Sequence, residues 1–569
     1  MAAAYSGEAA RLKRVAVDLT PLLPGGDNGG AKPLAIELVR RLAAMSETQG
    51  RPCEFVLLTS EKSDGELAVL DAPNVRRLCV SRPHNAPTLP RRRALQVRAT
   101  IRALLARGAR RALPQKLARR IGEWYARTPE GSPPSTPLLR AVAADLLFCP
   151  FTGALFFDPA VPVVSLVHDL QYLYYPEFFD PADRHERDRH FRQVCRVASR
   201  LICVSEYTRA SVLEHSGLSP ERVVAIPSAP HKRLPAPAPR TVERVLSGLR
   251  LVPGRYLLYP ANFWRHKNHE LLLTAFGIYR AAHSQSDLKL VLTGSPSPRR
   301  EELMEATRRM GLSAWVVFAG YLPDEDFAAL LAGSAALLFP SLFEGFGMPV
   351  LEAMAAGVPV ACGNLTSLPE IAGPPGRPAA LLFDPRRPAG IAAAIERLES
   401  DPALRAGLIE RGRRRAADFL TPEEWAARYF AVFQEAAGPR GHRPFVEDRP
   451  SAVYGVFPDA WTGGRVTVVY GQGPTPRRLT VTLRAPEWLP SARVAIRVGV
   501  QVHRIPRGQR KTITLDLPGQ AGVVELLCSP TFQPGGEDLR QLGCLLESAA
   551  IGGPGETDPR QLPREAHAA

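Results

Sequence analysis

Between residues 12 and 437 short β-branched runs alternate with helix-length amphipathic segments, and the alternation stops once and then starts again. RVAVDL (14–19), CEFVLLT (53–59), VRRLCV (75–80), DLLFCP (145–150), VPVVSLVHDL (161–170) and RLICVS (200–205) read as buried strands, with helical stretches such as 31–45 and 181–199 between most of them. Apolar runs separated by helices predict a parallel sheet, because parallel neighbours need a crossover long enough to hold a helix. The Pro-rich HKRLPAPAPRTV (231–242) cannot join a sheet and reads as a linker. The series then restarts. RYLLYPA (255–261), KLVLTGS (289–295), WVVFAGY (315–321), ALLFPS (336–341), VPVACG (358–363) and ALLFDP (380–385) are predicted strands. Helices are predicted at 268–283, 299–311, 324–333 and 349–356, and two helical segments, 387–417 and 421–437, close the unit. Two successive α/β units predict two doubly wound domains with a cleft outside the carboxyl ends of their strands.

From about residue 445 the pattern changes class. RVTVVYG, RRLTVTLRAP, ARVAIRVG, KTITLDL and GVVELLCS alternate with period two and carry turn signals between them, which predicts a small β-sandwich. The expected domains are therefore 1–235, 243–440 and 445–551, with a basic helical insert at about 82–135 and a disordered tail at 552–569.

Charge looks at first like a sign of nucleic acid, since the formal net charge is +16. It is concentrated, however: between Arg76 and Arg127 fifteen Lys or Arg face one acid, Glu123. RRRALQVRATIRALLARGARRALPQKLARRIGEWYA (91–126) reads as a basic amphipathic helix, suited to an anionic membrane surface. A solvated helix answering acids elsewhere is the plainer alternative. No nucleic-acid module accompanies the charge, so nucleic acid is the poorer reading. No apolar run is long enough to span a membrane, and the first residues lack the apolar core of a signal peptide. The eight cysteines form no CxxC pair and no cluster with histidine, so they read as reduced thiols of a cytoplasmic protein.

The most informative stretch is LFEGFGMPVLEAMAAGVPVACGN (342–364). The turn Gly345, Phe346, Gly347, Met348 runs into a helix opened by Pro349, and backbone N–H groups there face the positive end of the helix dipole. That is a seat for an anion, yet Glu344 and Glu352 flank it. The conflict resolves if the ligand is anionic at one place and carries hydroxyls at another. A nucleotide-sugar fits: diphosphate on amides, ribose diol on Glu352, the sugar near Glu344. Acids in a first helical turn also serve the dipole alone, so the spacing by itself leaves both readings open.

EGFGMPVLEAMAAGVPV resembles the Glu-x7-Glu signature of the family 4 retaining glycosyltransferases, enzymes of GT-B fold. Other segments match in order. LLPGGDNGGAKPLAIELVRRLA (22–43) is similar to the family's first Gly-rich loop, where Gly29 and Gly30 would approach the donor phosphates. VHDLQYLYYPEFF (167–179) resembles the His-Asp loop at the cleft wall, and CVSEYTRASVL (203–213) the segment closing the first domain. YPANFWRHKNHELLLTAF (259–276) resembles the basic donor loop, and the resemblance covers roughly residues 12 to 437.

The resemblance implies a glycosyltransferase that moves a hexose from a nucleotide-diphosphate sugar to a glycan or lipid-linked acceptor, with retention and without metal or other cofactor. It leans toward mannosyl- or rhamnosyltransferases of surface-polysaccharide assembly, such as lipopolysaccharide. Lys267 would neutralise the departing diphosphate. Arg265 would add a second charge, because Asn262 stands where many relatives carry arginine. His168 and Asp169 end a strand, and the histidine can hydrogen-bond the transferred sugar or the acceptor. A structural pair is the alternative. Gly294, with Thr293 and Ser295, can reach the nucleotide. Asp27 and Asn28 read as turn formers.

Asp324-Glu325-Asp326 imitates a metal-binding D-x-D but begins a helix, where acids cap free amides. Glu370 reads as a structural cap, with a second acid near the cleft as the alternative. Trp461, Trp488 and Tyr470 in the β-domain can stack on sugar rings or fill its core. Competing readings are a nucleotide-sugar epimerase or a glycoside phosphorylase in the same cleft, or a non-catalytic sugar-binding scaffold. The expected location is cytoplasmic, peripheral on the inner face of the membrane.

Overall fold

The computed structural model describes residues 12–25, 29–48, 53–80, 138–229, 234, 236–438, 452–456, 460–470, 475–519, 522–533, 542–553, 560–562 and 564–566. The basic segment 91–126, its surrounding insert, and Asp27 and Asn28 lie outside the described residues. The chain divides into two compact units: Met1–Leu78, Ala144–Ala154 and Pro162–Pro444 form one, and Cys79–Ala143, Leu155–Val161 and Phe445–Ala569 the other.

The first unit holds two α/β lobes. Strands β1 (Arg14–Asp18), β2 (Glu54–Thr59), β3 (Val75–Cys79), β4 (Leu146–Cys149), β5 (Val163–Val167), β6 (Ala198–Cys203) and β7 (Val223–Ala225) form a sheet of order β3-β2-β1-β4-β5-β6-β7. Strands β8 (Tyr256–Pro260), β9 (Lys289–Thr293), β10 (Val316–Gly320), β11 (Ala336–Phe339), β12 (Val360–Gly363) and β13 (Leu381–Phe383) form the second, of order β10-β9-β8-β11-β12-β13. β1 pairs in parallel with both β2 and β4, and β8 with both β9 and β11. Strand order therefore reverses beside β1 and beside β8. Loops leaving the carboxyl ends of strands at such a switch point diverge and leave a crevice, the usual seat of a ligand in an open α/β sheet.

Most predicted elements are present within two or three residues of their expected bounds. β7 was not anticipated, and the segment 387–417 is two helices, Pro388–Ser400 and Pro402–Ala417, because Pro402 starts a new helix capped by Asp401. The stretch expected as a linker is shorter than predicted. Pro239 opens the helix Pro239–Gly248, where its missing N–H has no partner to lose, and Val245 and Leu246 of that helix are buried.

The last helix of this unit, Pro422–Ala437, follows the second lobe in sequence but packs on the first. Thr421 and Glu424 close a capping box at its start, and Trp425, Tyr429 and Phe433 are fully buried. Phe148 at the end of β4 meets Phe433 at 5.0 Å and Tyr429 at 6.1 Å, and Arg41 pairs with Glu423 at 2.7 Å.

Among its described residues the second unit is all-β apart from the short helix Leu138–Ala141. Its ten described strands, from Ala452–Val456 to Arg564–Ala566, form a six-stranded and a four-stranded sheet around one apolar core. It is larger than the predicted 445–551 domain. Arg140 pairs with the buried Asp158, so residues from within the first lobe's sequence belong here. Nor is 552–569 wholly without structure: strands Arg560–Gln561 and Arg564–Ala566 pair with Leu545–Gly552 and Ala452–Val456.

Candidate functional site

Lys267 and Glu344 reach one another from the two strands that flank the second switch point. Lys267 lies in the loop after β8 and Glu344 in the loop after β11; their Nζ and Oε1 are 2.6 Å apart, and their side chains are 13% and 12% exposed. The backbone fixes both ends. Tyr259 OH donates to the Lys267 carbonyl at 2.6 Å, and the Leu342 N–H donates to the His266 carbonyl at 2.8 Å. Asn268, in the left-handed region, spends its side-chain amide on the carbonyls of Pro340 and Pro385. On the other side, Thr366 Oγ1 accepts from the Glu344 N–H, and Ser367 Oγ donates to the Phe346 carbonyl at 2.6 Å. The pair is thus held by the framework rather than by its own flexible stems.

The turn beyond Glu344 takes the predicted form. Gly347 has φ of +117°, a Cβ there would lie 2.7 Å from Leu368, and the helix Met348–Ala355 begins with Pro349 in its first turn. Phe346 is buried against Phe419. Glu352 sits one turn into the helix and is only 5% exposed, on the side turned away from bulk solvent.

More positive charge gathers here than the sequence suggested. Arg265 is exposed in the short helix Arg265–Lys267, and Arg299, in the first turn of Pro298–Arg309, lies near enough to feel its field. Burial first and Arg265 second push the Arg299 pKa below its usual value, although Arg299 pairs with Glu270. Like charges held together favour an anion between them. Asn262 does not act as the missing arginine. Its Oδ1 accepts from the Ser295 N–H at 2.9 Å and ties the β8 loop to the β9 loop, where a Cβ on Gly294 would lie 2.6 Å from the Ala261 carbonyl.

The first lobe closes on this site. The backbone of Gly345 lies so near the His168 carbonyl that a Cβ would come within 1.9 Å of it. Ser205 Oγ and Thr208 Oγ1 both donate to the Gly345 carbonyl, at 2.6 and 3.1 Å. Glu370 does cap a helix, but one on the opposite lobe: its carboxylate accepts from the N–H groups of Glu206 and Tyr207, which open the helix Glu206–Ser216. Sequence reasoning found the cap and missed its owner, because capping across lobes leaves no local spacing to read.

His168 Nε2 donates to the Pro150 carbonyl at 2.8 Å, which leaves Nδ1 as an acceptor. Burial pushes its pKa below 6.5, so the ring is neutral at pH 7. Asp169 accepts from the Gln171 N–H at 3.0 Å, and its Cβ lies 3.2 Å from where a Cβ on Gly345 would stand. Gly29 has φ of +53° and lies under the Trp264 indole, 2.5 Å from where its Cβ would be; Gly30 has open space beside it. Trp264, not singled out from sequence, therefore brings the basic loop of the second lobe onto the Gly-rich loop of the first. Of the acids in Asp324-Glu325-Asp326, Asp326 pairs with Arg244 and Glu325 accepts from Thr241, so these two tie helices together rather than cap amides.

Comparison with known proteins gives the following similarities. Residues 251–415 match the family model of the group 1 glycosyl transferases, and residues 106–229 that of glycosyltransferase family 4. The O-antigen chain mannosyltransferase B of Escherichia coli is 30% identical over 257 residues, 45% of this chain and 66% of that protein. The MMP alpha-(1->4)-mannosyltransferase of Mycolicibacterium hassiacum is 30% identical over 245 residues, 43% of this chain and 56% of that protein. The match thus spans between about half and two thirds of the length of these relatives. Among solved structures, Anabaena Alr3699/HepE in complex with UDP and glucose superposes with a TM-score of 0.53 at 16% identity, over 74% of this chain and 99% of that one. A glycosyltransferase from Rickettsia africae gives 0.52 at 13% identity over 75% and 98%. In sequence, parts of both α/β lobes resemble glycosyltransferase family models, and the two lobes share the fold of these solved structures.

Proposed function

We propose that the chain transfers a hexose, mannose being favoured by its relatives, from a nucleoside diphosphate donor to a glycan or lipid-linked hydroxyl, with retention and without a metal. The observation that carries this reading is the Lys267–Glu344 pair at the β8 and β11 loop ends, beside the Gly345 turn that meets His168. Donor binding would exchange one partner for another: Lys267 leaves the carboxylate for the diphosphate, and Glu344 becomes free to accept sugar hydroxyls. Arg265 and the turn amides add to the charge that meets the leaving group as the bond from C1 to the phosphate oxygen breaks. The acceptor oxygen bonds to C1, and its proton passes to the departing phosphate. Neutral His168, with Nδ1 as acceptor, orients a sugar or acceptor hydroxyl. Glu352 takes the ribose diol. The segment 91–126 would bring the enzyme to an anionic membrane surface.

A thermal-shift panel of GDP-, UDP- and dTDP-sugars tests the donor site, since a ligand that binds the folded state raises the melting temperature by mass action. Release of nucleoside diphosphate only when acceptor is present separates transfer from epimerisation. No stabilisation by any member, and no release with acceptor, would sink the reading.

A further inference from the structure

The three aromatic residues of the β unit that sequence left between stacking and core have different fates. Tyr470 is buried with the Arg477 guanidinium 5.3 Å over its ring, and Trp461 is buried as well. Trp488 is 63% exposed. Its ring rests on Trp461 at 5.3 Å and on Phe532 at 5.9 Å, and those two meet each other at 5.5 Å.

The exposed ring is held in place. Leu489, next to it, is buried, and Arg507 donates to the Leu489 carbonyl. The loop is tied to the turn at 506–509 through Ala485 N–H to the Gln509 carbonyl at 2.9 Å, Gly508 N–H to the Ala485 carbonyl at 2.8 Å, and Arg507 N–H to the Ala492 carbonyl at 3.0 Å. Phe532 is fixed by two backbone bonds with Leu542. A large aromatic held by its neighbours yet largely open to solvent is preorganised for a flat ligand.

Its surroundings restrict what that ligand is. Val500 and Val502 are the other large exposed hydrophobics among the described residues of this unit. They lie at the far end of the hairpin whose near end pairs Arg493 with Pro506, roughly 17 Å of strand away. One isolated ring is too small for a protein interface, which needs hundreds of Å² of contiguous surface. The neighbours of the ring along the chain are exposed hydrogen-bonding side chains: Glu487 beside it, Arg507 under its loop, and Gln533 beside Phe532. An apolar plate with such a rim matches the face of a pyranose, whose C–H groups stack while its hydroxyls reach outward.

We propose that the β unit binds glycan through Trp488, which belongs to a different unit from the residues of the donor site. The choice of glycan as ligand class rests on the glycosyltransferase reading; the rigidity and exposure of the ring do not. Tethered to the α/β unit, such a site raises the local concentration of a chain being extended.

The test is affinity electrophoresis of the full chain in native gels containing soluble α-mannan, dextran or β-glucan. The wild type is expected to be retarded by at least one of them, and Trp488→Ala to lose at least tenfold in affinity with an unchanged melting temperature. Trp488→Tyr is expected to keep most of the retardation and guards against a folding defect. Glu352→Ala, crippled for donor, is expected to be retarded like the wild type. Failure of the donor panel with retardation intact would fault the transferase reading alone. Wild type unretarded by all three polymers, or Trp488→Ala retarded equally, overturns the proposal.

Discussion

Gly345→Ala offers a steric test of how the two α/β lobes meet. The backbone there is not in the left-handed region, so alanine adopts it without strain and any effect comes from the added methyl. That methyl would stand 1.9 Å from the His168 carbonyl oxygen, whereas real Cβ contacts essentially never fall under 3.0 Å. The neighbour is backbone, not a side chain that can swing away, so the Gly345 turn and His168 must part by about 1.1 Å. The Ser205 bond to the Gly345 carbonyl, 2.6 Å long, stretches beyond hydrogen-bond range, and the Thr208 bond goes with it. Two neutral bonds contribute about 2 kcal/mol net, and losing the Glu370 cap as well raises this to about 4. The closed arrangement would fall by roughly 30- to 700-fold relative to an open one. Small-angle scattering should show a larger radius of gyration, and sugar transfer should drop by a similar factor. Gly65→Ala, where nothing lies within 4 Å, serves as control. A Gly345→Ala protein with unchanged scattering and full activity would refute the closure argument.

Lys267→Ala should slow transfer far more than it weakens donor binding, because the ammonium gains most when charge develops on the leaving group; single-turnover and equilibrium titrations separate the two. Stability should fall on acidification through His269, which is 1% exposed between Tyr259 and Phe263, with neither ring nitrogen hydrogen-bonded. Burial lowers its pKa from 6.5 to about 3, so its neutral form favours folding fully above pH 6.5 and loses that contribution as pH falls toward 3. At pH 5 the loss is about 2 kcal/mol, and His269→Phe should flatten the denaturation midpoint across this window; an unchanged slope would count against it. Flotation with anionic vesicles should carry the wild type upward and leave a protein with Arg91, Arg92 and Arg93 changed to glutamine behind, while neutral vesicles should carry neither.

Sequence periodicity was enough for most of both parallel sheets because most of their strands are apolar runs buried on both faces, with long crossovers between them. It failed where burial is asymmetric or local signals mislead. β7 is three residues long, Leu545–Gly552 carries two alanines and a glutamate that read poorly as strand, and Pro239 looked like a breaker while starting a helix. In the site, Glu344, Gly347 and Lys267 were legible because a turn, a helix start and a strand end each leave a fixed spacing. Trp264 against Gly29, Glu370 on the helix Glu206–Ser216, and Asn262 on Ser295 were not, since each joins segments that only the folded chain brings together.

The helix Pro422–Ala437 gives the molecule an order of assembly. On the ribosome the first lobe emerges early, yet the surface of Phe148 that it must cover waits for Tyr429 and Phe433, made almost three hundred residues later. Until then the nascent lobe exposes a greasy seam. A chain cut near residue 420 would leave the second lobe's sheet entire and the first unfinished, so the earlier-made half is the one that a late truncation injures.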